Sequence, residues 1–459
     1  MDLTHSSKQA HSPDNARRLA DMDKQYVWHP FTPMRQWIDD EPLIVEAGEG
    51  FELIDPDGRR YIDGFSSLWC NLHGHRVGAI DAAIRTQLDK VAHSTLLGFA
   101  SPPSIELAER LVRISPAGLE KVFYSDSGAT AVEIALKMAY QFYRNSGQPE
   151  RRRFIALRQS YHGDTIGSVS LGGIETFHEI FKPLLFETTF VDTPNAYHNP
   201  AGDQAAAAVL RQIDQTLAEF PGEYCAVILE PLVQGAAGML THQPGFLASV
   251  RELTQKHDVL LIADEVATGF CRTGRLFACE HEEVSPDLMC LGKGLTGGYL
   301  PVAATLATQE IFDAFCGELI EGKTFYHGHT YTGNALGCAA AVASVDLIFE
   351  SGLLEALPAK VELVRTRLGE LAEHPHVGDI RQCGMMAGVE LVADRDAGQP
   401  FDPALRTGAA LCRAARERGV IIRPLGDVAV LMPAPAMDTE TLDKLLTEVT
   451  ATINEYFSK

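Results

Sequence analysis

The chain has 459 residues, 46% hydrophobic and 22% charged, a globular make-up that excludes wholesale disorder and fibrous repeats. Its 39 basic and 61 acidic residues leave a formal net charge of −22, so nucleic acid is not an expected partner. At this length two or three domains, or one large α/β core with appendages, are expected. The nine cysteines form no C-x-x-C pair and several lie in apolar runs, as expected of a reducing, cytoplasmic compartment. The polar start carries no secretory pattern and no apolar run reaches bilayer-spanning length, so neither export nor a membrane is expected.

In chain order, residues 1–25 read as a flexible lead-in. Residues 51–54 and 60–62 flank Asp55-Pro56-Asp57-Gly58-Arg59 and predict a β-hairpin. Helical patterns over 80–91, 104–114 and 129–145 then alternate with short apolar strands at 122–124, 154–157, 226–229, 259–263, 288–291 and 302–306. Near-continuous apolar strands between helices predict a mixed, mostly parallel sheet covered on both faces. Helices at 335–350, 359–373 and 403–418 follow, with strand-like stretches at 385–392, 420–422 and 428–432. The expected layout is an α/β protein with a large domain over 80–335. A small α+β domain is built from 26–79 and 336–459.

Ligands of open α/β sheets gather at the carboxyl ends of strands. Four strands here end in polar residues that packing does not explain. Ser125-Asp126-Ser127-Gly128-Ala129-Thr130 offers small residues with free amides at a helix start, an anion cradle whose bland reading is an N-cap. Tyr161-His162-Gly163-Asp164 offers an aromatic face, or merely a packed loop. Asp264-Glu265 emerges from an apolar strand, where a carboxylate is costly unless a cation meets it. Gly292-Lys293-Gly294 places a lysine on a glycine-flanked turn, where desolvation frees the amine as a nucleophile. For either charge alone, a solvated loop start is the ordinary reading. Together the four describe pyridoxal phosphate, which needs a Schiff-base lysine, an acid facing its ring nitrogen and a phosphate site.

Two competing motifs are weaker. Gly292-Lys293-Gly294-Leu295-Thr296-Gly297 satisfies the dinucleotide pattern G-x-G-x-x-G, but a β-like stretch follows where a helix is required. His73-Gly74-His75 and His327-Gly328-His329 lack a third ligand at useful spacing, so no metal is expected. A non-enzymatic binding module would leave the lysine and carboxylate at neighbouring strand ends unexplained.

These motifs, with Glu230-Pro231-Leu232-Val233-Gln234-Gly235, residues 262–270 and His327-Gly328-His329-Thr330, resemble the class III aminotransferases of the fold-type I pyridoxal phosphate enzymes. The resemblance spans nearly the whole chain after about residue 25. It implies that Lys293 carries the cofactor and moves the proton, that Asp264 faces the ring nitrogen, and that Tyr161 stacks on the ring. Gly128 and Ala129 would hold the phosphate, joined by Thr330 from a partner subunit, with Val266 and His329 also at the cofactor; a homodimer with shared sites is implied. Arg423 would take a substrate carboxylate, and Phe31, Leu68, Trp69, Tyr161 and Gly328 would line the substrate channel.

Within the class, residues 28–32, 64–69 and 423–426 resemble the biotin-pathway branch, which aminates 8-amino-7-oxononanoate. The alternative is an ω-amino-acid or diamine:pyruvate aminotransferase. Phe31 stands where members that use S-adenosylmethionine usually carry Tyr, and Leu68 where they carry a second Trp. Residues 71–76 and 93–98 look more like the branch that uses lysine as donor. Cys271 stands where the class usually has Gly; if that position needs φ > 0, a non-glycine residue there is strained.

Overall fold

Six apolar runs and one short edge strand assemble into a seven-stranded sheet in a computed structural model that describes residues 13–458. The order is Leu119–Ser125, Ala303–Thr308, Leu288–Leu291, Leu260–Asp264, Tyr224–Leu229, Arg153–Leu157 and Thr189–Val191. Only Ala303–Thr308 runs antiparallel to its neighbours, so the sheet is mixed and mostly parallel, as expected. The three central strands are buried along their whole length.

Alternation along these strands decides what covers each face. Ala226, Ile228, Leu260, Ile262, Leu288 and Cys290 pack with Ala131, Val132 and Ala135 of the helix Gly128–Asn145. Val227, Leu229, Leu261 and Ala263 pack on the other side with Val209 and Ile213 of Ala205–Glu219 and with Phe246 and Val250 of Phe246–Lys256. Both faces being covered by helices is what a run of uninterrupted apolar strands requires.

The predicted hairpin forms between Glu52–Ile54 and Arg60–Asp63. Val420–Ile421 adds to it in parallel, pairing Val420 with Ile62, so the two ends of the chain share one sheet. A second small sheet is antiparallel, in the order Val377–Cys383, Met386–Leu391, Val428–Leu431 and Arg423–Leu425.

Three local expectations change. Residues 13–25 of the expected lead-in are helical within Pro13–Tyr26, while residues 1–12 lie outside the described ones. The helix expected over 403–418 is broken: Asp402 caps a 3₁₀ turn at Pro403–Leu405, Arg406 sits at φ 49°, and the helix proper is Thr407–Glu417. The helix expected from 359 starts at Leu353 and runs through Pro358.

Cys271 does need positive φ: it stands at 74°, directly after Phe270 at 58°. Its thiol is wholly buried among core residues, and that burial pushes it up to about 12. Packing therefore offsets a backbone cost of about 1–2 kcal/mol. Cys271→Gly should change stability by less than about 1 kcal/mol, strain relief offsetting lost packing, whereas the β-branched Cys271→Val should lose more than about 2 kcal/mol. Denaturant unfolding of both variants checks this; equal losses would contradict it.

Candidate active site

Tyr224–Leu229, Leu260–Asp264 and Leu288–Leu291 are parallel neighbours, so their carboxyl ends bring Glu230, Asp264 and Lys293 to one edge. They line a cleft of about 440 Å³ together with Trp69, Gly128, Ala129, Tyr161 and Val266. A wider cleft of about 640 Å³ lies elsewhere, where Arg153 stands 3.4 Å from Glu223 and 3.9 Å from Glu187.

Asp264 is 4% exposed and lies 2.7 Å from His162 Nδ1, while its other oxygen accepts the Val266 N–H at 3.1 Å. The partner that the buried carboxylate demands is thus a histidine. Glu265, the next residue, is also buried but is met by no cation. It accepts from Thr268 Oγ1 at 2.6 Å and from the Ala278 and Cys279 amides at 3.1 and 2.8 Å. Three donors substitute for a counter-charge and make Glu265 a structural carboxylate. Glu230 accepts the Tyr161 and Gly235 amides at 3.1 and 2.9 Å. Burial, with the nearby charge of Asp264 adding to it, pushes the Glu230 carboxyl up to about 7.

Lys293 follows Gly292 on a single 3₁₀ turn, Lys293–Thr296, which ends at Gly297 with φ 63°. No α-helix opens there, so the glycine pattern lacks the helix N-terminus a dinucleotide would need. The Lys293 ammonium lies 4.9 Å from the centre of the Trp69 ring. Desolvation lowers its pKa from the ordinary 10.5 and outweighs the opposing pull of Asp264 and Glu230. The result is an amine more readily neutral, hence nucleophilic, than an exposed lysine.

The helix Gly128–Asn145 begins with a reciprocal capping box: Ser127 Oγ accepts the Thr130 N–H, and Thr130 Oγ1 accepts the Ser127 N–H at 3.0 Å. The capping reading is therefore right, and compatible with the cradle reading. The cap satisfies Thr130 and leaves the Gly128 and Ala129 amides without an intrahelical partner at the positive end of an 18-residue helix. Bare backbone is needed here. A Cβ on Gly128 would stand 2.4 Å from Val266 Cγ1, and one on Gly163, at φ 121°, would stand 2.3 Å from Ala129 Cβ.

Tyr161 donates its hydroxyl to Asp164 at 2.6 Å, and its ring stacks on His178 with centroids 6.4 Å apart. Phe31 does not line the cleft. It meets Phe177 at 5.4 Å, and Phe177 in turn meets Tyr161 at 6.3 Å, so Phe31 is one ring removed. Leu68 also lies outside the cleft wall, half-exposed. Arg423 is half-buried and pulled below its ordinary value by desolvation, with Tyr161 the one ionisable neighbour that bears on it. Gly328 and Thr330 are exposed outside the cleft of their own chain, and His329 lies 3.8 Å from Asp126.

Sequence reasoning assigned no role to His162 or Glu230, although both lie within motifs it singled out. Glu230 carried the signal that found Asp264, a carboxylate directly after a wholly apolar strand; His162 carried none, since its partner is 102 residues away.

Two outcomes follow from this geometry. The rate at which the cofactor-free protein reacts with a soluble aldehyde at Lys293 should level off below pH 10.5, because a lowered pKa frees the neutral amine at lower pH; a profile still rising at pH 10.5, as for exposed lysine, would contradict the desolvation. Gly163→Ala should displace Ala129 and weaken inorganic phosphate binding at the helix start by about tenfold or more, read by calorimetry.

The comparisons with known proteins accord with this site. The family model for aminotransferase class III matches residues 34–453. A relative from Nitratidesulfovibrio vulgaris, an adenosylmethionine-8-amino-7-oxononanoate aminotransferase, is 55% identical over 429 residues, covering 92% of this chain and 79% of the relative. The crystal structure of the protein of that name from Methanocaldococcus jannaschii has a TM-score of 0.91 at 44% identity, covering 96% of this chain and 99% of its own. An ω-transaminase from Pseudomonas jessenii, solved in complex with PMP, has a TM-score of 0.91 at 31% identity, covering 96% and 98%. A match over this span leaves no competing assignment: the chain belongs to the class III aminotransferases, pyridoxal phosphate enzymes of fold type I.

Proposed function

We propose that this enzyme aminates the ketone of 8-amino-7-oxononanoate to give 7,8-diaminononanoate, the biotin-pathway step. The observation that carries the reading is the near-full-length identity to relatives of that name, 55% and 44%, against 31% to the ω-transaminase. Backbone alone does not choose, because both solved structures reach the same TM-score of 0.91.

The residues of the cleft fit pyridoxal phosphate, which supplies a reactive carbonyl and an electron sink when bound. In this proposal Lys293 holds it covalently and moves the proton at Nζ as general base and acid. The Gly128 and Ala129 amides hold its phosphate, with Thr330 and His329 of a second subunit completing the site. Asp264, kept in place by His162 and the Val266 amide, would meet the ring nitrogen. Tyr161 and Val266, both in the cleft wall, would contact the ring. Arg423, which meets no carboxylate among the described residues, takes a substrate carboxylate through its planar fork. Trp69 walls the channel, Phe31 backs it through Phe177, Leu68 stands at its rim, and Gly328 reaches it from the second subunit. The name of these relatives carries S-adenosylmethionine as the amino donor, with lysine as the alternative that Phe31 and Leu68 in place of Tyr and Trp keep open, and the enzyme works as a cytoplasmic homodimer.

The test is a donor and acceptor panel. The oxononanoate should be accepted at least about 100-fold better than pyruvate by kcat/KM. Pyruvate as the better acceptor would favour the ω-amino-acid:pyruvate reading instead. Lys293→Ala should abolish turnover. Asp264→Asn should keep the cofactor bound yet slow single turnover by about 100-fold or more, since the counter-charge to the ring nitrogen is gone; near-parent single-turnover rates would contradict its role.

A further inference from the structure

Four consecutive non-glycine residues, Ser66, Ser67, Leu68 and Trp69, have φ of 54°, 48°, 71° and 68°. L-residues visit this region singly. A run of four makes a left-handed helical turn, in which the Trp69 N–H donates to Phe65 O at 2.9 Å. A segment in this conformation persists only where its surroundings hold it.

Two clamps do so. Buried Asp63 accepts the Ser67 N–H at 3.0 Å and the Ser67 hydroxyl at 2.7 Å, and lies 3.1 Å from His75 Nε2. The Ser66 hydroxyl donates to Met432 O at 2.6 Å and accepts from Arg272 Nη1 at 3.1 Å, while Arg272 Nη2 donates to Asn71 O at 2.7 Å. Each serine of the turn is therefore tied to a different part of the fold.

The turn leaves Trp69 buried beside Lys293, its ring against Gly235, where an added Cβ would stand 3.3 Å away. The Trp69 indole N–H has no partner among the described residues. Leu68, one residue earlier, is 46% exposed. Reversing the hand of the turn would reverse the sense in which these two side chains step around it, and would move both.

We propose that the left-handed backbone at Ser67, held through its N–H by Asp63, is the positioning element for substrate: the turn it pins sets Trp69 against Lys293 and Leu68 outside the cleft, and so decides which ketone is admitted. The proposal rests on the aminotransferase reading for its kinetic half, and on geometry alone for the turn.

The test replaces Ser67 by Gly, Ala and Val. Glycine tolerates the left-handed region and keeps the N–H to Asp63; valine does neither the backbone nor the hydroxyl contact justice, being β-branched and apolar. The chain has three tryptophans, so in a Trp28→Phe, Trp37→Phe background emission comes from Trp69 alone, and acrylamide quenching reads its burial without any turnover. Ser67→Gly should keep parent quenching and a KM for the ketone within about twofold. Ser67→Val should raise the quenching constant about threefold and KM about tenfold, with kcat changed less than about threefold and the cofactor absorbance still saturated. Ser67→Ala should fall between them, and carries the same comparison with Gly should the Val variant not fold. Parent-like quenching and KM in the Val or Ala variant, or a Gly variant as impaired as either, would overturn the proposal. A parent protein that transaminates no ketone would strike the functional reading instead, and the quenching series would still decide the turn.

Discussion

Three parallel strands of this sheet each end in a chargeable residue, and the arrangement of the site follows from that constraint. Glu230, Asp264 and Lys293 leave the dry interior at one edge because their strands are hydrogen-bonded neighbours. None can be solvated freely there, so each must find protein partners. Asp264 finds His162, Glu230 finds two amides, and Lys293 finds the face of Trp69. The low-dielectric setting that makes these charges costly is also what lowers the lysine pKa and raises that of Glu230.

A second regularity is the cluster of left-handed residues around the same edge. Ser66 to Trp69, Phe270, Cys271 and Lys293 all have positive φ without being glycine. Arg272 links two of these segments, since it follows Cys271 and donates to Ser66, Asn71 and Pro433. Strain concentrated at a reactive lysine and the aromatic ring beside it means that the surrounding packing, rather than local preference, sets the position of those groups.

Much of this was legible in the sequence. The six apolar strands and the hairpin were readable because burial on both faces leaves uninterrupted runs, and because a Pro/Gly turn announces itself. The edge strand Thr189–Val191 was not, being three residues long and only partly buried. The break at Arg406 was hidden because arginine gives no sign of a left-handed conformation, and the helix through Pro358 because proline marks a boundary more often than an interior. At the site, Lys293, Asp264 and the amides at Gly128 and Ala129 stood out by their position at strand ends. The Asp264–His162 contact, the clamp of Asp63 on Ser67 and the inward turn of Glu265 are tertiary pairings that no local pattern encodes. Phe31 and Leu68 came from resemblance, and the fold sets both outside the cleft wall.

The central claim is that Lys293 is the nucleophile of the cleft and the attachment point of the cofactor. Reconstituting the purified protein with pyridoxal phosphate, reducing it with borohydride and mapping the modified peptide by mass spectrometry tests that most directly. The account predicts a single stable pyridoxyl mass on Lys293, absent when an amino donor is added before reduction. Modification of another lysine, or of none, would contradict it.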